Sequence, residues 1–152
     1  MSIRDKILLY IISTTLVFAI TAVTIFSNSE RSNLLILLEK KSATYEKLLK
    51  KSTTSLLFDM NKDVIAVQLE LLFQDIDIVQ IELIDYSKVI DFRLKKKNYD
   101  KNNLLISSML LEKDRKELGF LNIYYTKQNI EVALKNFNKK IIFISILFVS
   151  FF

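Results

Sequence analysis

Two apolar segments bracket this chain of 152 residues and constrain it more than anything between them. Residues 7–26 carry no charge, and residues 141–152, IIFISILFVSFF, are equally bare. A helix rises about 1.5 Å per residue and the hydrocarbon core is roughly 30 Å thick, so a span needs about 20 mostly apolar residues. The first segment meets that length; the second supplies a little over half of it. The chain therefore reads as a cytoplasmic head at 1–6, a transmembrane helix at 7–26, an extracytoplasmic module at 27–140 and the truncated start of a second transmembrane helix at 141–152. On this reading it is the front end of a longer protein. Arg4 and Lys6 favour a cytoplasmic amino terminus. A cleaved signal peptide competes with an uncleaved anchor, but the apolar run exceeds the usual h-region of about 7–15 residues and no small-x-small cleavage site follows it.

Composition removes several chemistries. With one Gly and no Pro, the chain has no phosphate-cradling glycine loop and no dinucleotide fingerprint. The absence of His and Cys removes imidazole and thiolate metal sites and the Ser-His and Cys-His nucleophile pairs. No cofactor and no metal are expected, and no catalytic residue is assigned. The net charge of +5 includes the run Lys95-Lys96-Lys97. Such a run can meet an anionic headgroup or nucleic acid. Without an aromatic stripe beside it, a solvated loop is the plainer reading, and no nucleic-acid partner is expected.

Leu34, Leu38, Tyr45, Leu49 and Leu56 recur at sums of three and four, which predicts a helix that leaves the membrane and runs on to about Phe58. That stripe must bury itself against its own domain or against a second copy of the same helix, so a homodimer through the N-terminal helix is expected. Asp59-Met60-Asn61 breaks the helix, and Val64, Ile65, Leu69 and Leu72 predict a short second one. From Ile78 the period becomes two. Val79, Ile81 and Leu83, then Ile90, Phe92 and Leu94 after a polar break, predict a hairpin. Residues 104–113 and 118–126 predict a second pair joined by Asp114-Arg115-Lys116-Glu117. Thr126 is placed to cap a last helix in which Ile130, Leu134, Phe137 and Ile141 share a face. The expected fold class is α+β: a long membrane-continuous helix, a short helix, about four antiparallel strands and an exit helix entering a second span.

Phe58-Asp59 at the head of the short helix, the strand Val79-Gln80-Ile81-Glu82-Leu83-Ile84-Asp85 and the glycine-bearing strand Leu118-Gly119-Phe120-Leu121 resemble the extracytoplasmic sensor region of bacterial membrane receptors. The similarity is to single-Cache (PDC, PAS-like) or CHASE-type modules. Members often place a glycine soon after the first strand's Asp; this chain has Tyr86-Ser87-Lys88 there. The resemblance implies a PAS-like sheet and a signal-sensing, signal-transducing region of a receptor in the bacterial cytoplasmic membrane. A sensor histidine kinase is favoured over a diguanylate cyclase or chemoreceptor, with an output domain beyond Phe152.

The candidate ligand contacts are Arg93 for a carboxylate or phosphate, Ser107 and Tyr124 as hydroxyl donors, and Tyr86 as a lid. Each has a structural alternative: Arg93 paired with a surface acid, Tyr124 in the core with its hydroxyl at the rim, Ser107 exposed. The expected partners are the membrane, a second copy of the chain, and a small molecule or periplasmic protein. Two other classes stay open. A pilin-like assembly subunit also runs a membrane helix into a sheet domain, and a small membrane enzyme would have to rely on carboxylate pairs such as Asp75 with Asp77 or Asp91 near Glu82.

Overall fold

The computed structural model describes residues 3–150, the side chains of 145–150 excepted. Its elements are α1 (Ile3–Phe58), α2 (Lys62–Phe73), β1 (Ile78–Asp85), β2 (Asp91–Lys95), β3 (Leu104–Lys113), β4 (Lys116–Thr126) and α3 (Gln128–Ser150). The fold is α+β, with one four-stranded antiparallel sheet of order β2-β1-β4-β3. The chain divides into two compact units. One holds residues 36–129, and the other residues 1–35 with 130–152.

In the sheet unit, burial alternates as the period of two requires. Ile81 and Leu83 of β1, Met109 and Leu111 of β3, and Leu121, Ile123 and Tyr125 of β4 form the inner face and are almost wholly buried. Leu38, Leu49 and Leu57 of α1 and Ile65 and Leu69 of α2 complete the core. The stripe expected on α1 is therefore real, with Tyr45 and Leu56 at its half-buried margin in this unit. The opposite face of the sheet carries Glu82, Asn122, Tyr124 and Phe120, all half-buried, and the exposed Ile106, Ser108 and Leu110.

The turns solve a chemical problem, because the one glycine is spent inside β4. Four other residues adopt the left-handed backbone that glycine usually supplies: Met60 (φ 54°), Lys88 (φ 59°), Asp114 (φ 53°) and Arg115 (φ 64°). Met60 ends α1, with Asn61 N–H bonding Leu56 C=O at 2.9 Å and Met60 N–H bonding Leu57 C=O at 3.2 Å. Asn61 then caps α2 by accepting from Val64 N–H. Met60→Gly is expected to raise stability by about 1 kcal/mol by removing a strained Cβ, read as a higher urea midpoint. The β3–β4 hairpin turns at Asp114-Arg115 alone, and the expected four-residue connection shortens because Lys113 and Lys116 already pair.

At Tyr86-Ser87-Lys88, Asp85 organises the β1–β2 turn. Its buried carboxylate accepts from Ser87 N–H at 2.9 Å, from the Ser87 hydroxyl and from Val89 N–H at 3.3 Å. Burial pushes this carboxyl up, and the Ser87 hydroxyl with the Ser87, Val89 and Ile90 amides more than reverses that, leaving it below its ordinary value.

In the other unit, Ala19, Val23, Ser27 and Leu34 of α1 and Leu134, Phe137 and Ile141 of α3 are half-buried. Asn138 Nδ2 donates to Ser27 Oγ at 3.3 Å. Among the described residues α1 alone is long and apolar enough to cross a membrane, with a window of mean hydropathy 2.2 and none of it buried. A signal sequence near the amino terminus can be as apolar. The second span expected at 141–152 falls mostly on side chains outside those described.

Candidate functional site

Two polar clusters lie in the sheet unit, one on the outer face of the sheet and one at its end. The first is built across strands by register. Glu82 lies opposite Arg93 on one side and Asn122 on the other, and Asn122 lies opposite Ser108. One row thus runs Arg93, Glu82, Asn122, Ser108. Glu82 is its hub: Tyr124 Oη donates to Oε2 at 3.0 Å and Gln80 Nε2 to Oε1 at 2.8 Å, while Tyr99 Oη donates to Gln80 Oε1 at 2.6 Å. Burial and then the Glu82 carboxylate raise the Tyr124 phenol above its ordinary value, so it stays a donor.

Of the residues singled out in the sequence, the fold brings Arg93 and Tyr124 onto this face around Glu82. Arg93 forks its Nε and NH2 group onto Asp91 at 3.0 and 3.3 Å, and that carboxylate holds the guanidinium above its ordinary value. Tyr86 sits toward the far end, its ring edge-on to Phe120 at 6.3 Å between centroids. Ser107 belongs to the opposite, helix-covered face, where it is buried and donates to Glu46 of α1 at 3.3 Å. A ligand on the outer face would meet Arg93, Tyr124 and Tyr86, and would not reach Ser107.

The second cluster gathers where β1 begins and β4 ends. Lys41 Nζ of α1 lies 2.8 Å from Asp75 and 2.6 Å from Asp77. Tyr45 Oη donates to Asp75 Oδ2 at 2.9 Å, Asp77 N–H to Asp75 Oδ1 at 3.0 Å, and Asn129 Nδ2 of α3 to Asp77 Oδ1 at 2.8 Å. Lys96 reaches in from the β2–β3 loop to Asp75 C=O at 2.8 Å. Asp77 thus holds Lys41 of α1 and Asn129 of α3 at once, and its backbone C=O accepts from Thr126 N–H at 2.7 Å.

The electrostatics of this clamp are mutual. Burial pushes Asp75 up, but the Lys41 ammonium, the Asp77 amide and the Tyr45 hydroxyl leave it below its ordinary value. Burial pushes Lys41 down, and its bonds to Asp75 and Asp77 leave it above its ordinary value. Tyr45 is raised by burial and then by Asp75. Both carboxylates are thus held in an ion pair with Lys41.

Asp75 and Asp77 were visible in the sequence as a pair; Lys41, Tyr45, Asn129 and Lys96 were not. One signal existed. The α1 stripe steps from Leu38 to Tyr45 with Lys41 and Ser42 between, so a charge stands on the apolar face. The lysine run also divides: Lys96 is half-buried over the Phe73 ring at 5.4 Å, whereas Lys97 is exposed. Among the described residues no group of acids is placed to hold a metal ion. Neither a protein-family model nor a curated protein matches the chain.

Proposed function

We propose that the chain is the signal-sensing and transmembrane-transducing region of a bacterial receptor, with a single-Cache or related PAS-like module outside the cytoplasmic membrane. The observation that carries this reading is the bonding of Asp77 to Lys41 on α1 and to Asn129 on α3. A four-residue turn at the end of the sheet is thereby tied to both of the helices that carry the apolar segments. A stimulus that displaces the turn changes the bonding of both helices, and a two-state output needs only such a differential contact. The outer sheet face around Glu82, Arg93 and Tyr124 is the ligand surface of this reading, and the second copy through α1 is its dimer. No catalysis is assigned to these residues.

The test joins the chain to the output half of a reporter histidine kinase in bacterial cells. Asp77→Asn and Lys41→Met are each expected to shift basal kinase output while membrane levels stay constant; output unchanged by both would sink the reading. Topology can be read in the same cells, because the chain has no cysteine of its own. Lys97→Cys is expected to react with a membrane-impermeant maleimide added outside, and protection of that position would place the module on the wrong side.

A further inference from the structure

Seven threonines lie on α1. Thr14, Thr15, Thr21, Thr24 and Thr44 each donate their hydroxyl to the carbonyl four residues back, at 2.8 to 3.0 Å, as helical threonines commonly do. Thr53 and Thr54 do not: their Oγ1 atoms are buried without a hydrogen-bond partner. Thr53 is wholly enclosed, but Thr54, 8% exposed, lines a groove of about 630 Å³ between α1 and the end of β3. Neither hydroxyl opens onto the groove, so the chemistry of the wall is that of its exposed side chains.

The rest of the wall says what kind of partner. Lys47, Lys50 and Lys51 line the groove with Thr54, and the spacing of these four residues puts them on one face of α1. Lys113 closes the other side from β3, its ammonium 3.7 Å from the centre of the Phe58 ring. None of the four lysines has an ion-pair partner among the described residues. Glu46 and Glu112 are the two acids of the wall, and Glu46 already accepts from Ser107. Four ammonium groups against two carboxylates select an anion. Lysines act as point charges with three donors each, which suits tetrahedral oxyanions. The groove has no arginine fork of the kind that favours a planar carboxylate.

We propose that this groove binds a multiply charged phosphate compound, with Lys47, Lys50, Lys51 and Lys113 as its cationic contacts. The site lies on the helix-covered side of the sheet unit and is separate from the outer-face cluster. It does not depend on the receptor reading, since binding is measured without any output domain.

The experiment titrates tripolyphosphate into the full chain in nanodiscs of neutral phosphatidylcholine by calorimetry. Saturable binding is expected, weakened at least about tenfold by the double variant K50Q/K51Q. No binding, or equal affinity in K50Q/K51Q, overturns the proposal. Discs of anionic phosphatidylglycerol identify the source. A headgroup that fills the groove lowers wild-type affinity there and leaves K50Q/K51Q unaffected; a free phosphate ligand binds wild type equally in both discs.

Discussion

Gly119→Ala is expected to lower the melting temperature of the sheet unit by roughly 10–20 °C, a loss of about 3 kcal/mol. The reason is a close approach of backbone and owes nothing to a special dihedral, since Gly119 does not lie at positive φ. Gly119 pairs with Asp85 of β1 and Leu111 of β3. A Cβ there would collide with the carbonyl oxygen of Ile84 and sit 3.0 Å from the Cα of Asp85. Backbone atoms in the middle of a sheet cannot swing aside as a side chain can. The β1–β4 pair would have to part at the point where Tyr86 N–H bonds Leu118 C=O at 2.9 Å, loosening the turn that Asp85 organises. Thermal unfolding of the chain in detergent, followed by circular dichroism, reads the effect; a shift under about 3 °C would mean the strands part without cost.

Lys41→Met is expected to cost about 2 kcal/mol at neutral pH, less than a fully buried pair because the Lys41 side chain retains 32% of its exposure. The variant leaves Asp75 and Asp77 facing each other without their counter-charge. Acid should then narrow the difference. In the wild type the Asp75 carboxyl lies below its ordinary 3.8, so its contribution is present above that pH and is lost as pH falls through the lower folded value. In the variant the ammonium that depressed it is gone, and protonation relieves repulsion. The urea midpoints of the two proteins should converge below about pH 4. A gap that stays constant from pH 7 to pH 3 would show that the methylene stem of Lys41, and not its charge, carries the effect. At the alkaline end the sign reverses. Lys41 is raised above 10.5, so its contribution is whole below that pH and fades only as pH climbs past the folded value.

Periodicity made most of the fold legible. Alternation in β1 and β4 located both strands, because one face of the sheet is buried and a slip of one residue would expose Ile81, Leu83, Leu121 and Ile123 together. The α1 stripe was legible for the same reason at period 3.6. The turns were harder, since Met60, Lys88 and Arg115 are not residues that announce a left-handed backbone. The Lys41 cluster was less legible still. Its members come from α1, the α2–β1 turn, the β2–β3 loop and α3, and no local spacing marks a contact between residues 34 or 52 positions apart. Arg93 and Tyr124 share a face because β1 lies between β2 and β4, a fact of strand order that alternation within one strand does not contain. Ser107 went to the other face by the parity of its own strand.

β3 is one of the two outer strands of the sheet, and for eight residues, Leu104-Leu105-Ile106-Ser107-Ser108-Met109-Leu110-Leu111, it carries no charge, no proline and no glycine. Sheet proteins usually guard such a border with a lysine or a bulge, yet the irregularity near Leu111 falls at the end of this stretch. Concentration therefore acts on this molecule in a directional way. As copies crowd, the edge amides and carbonyls of β3 offer a ready template for another chain.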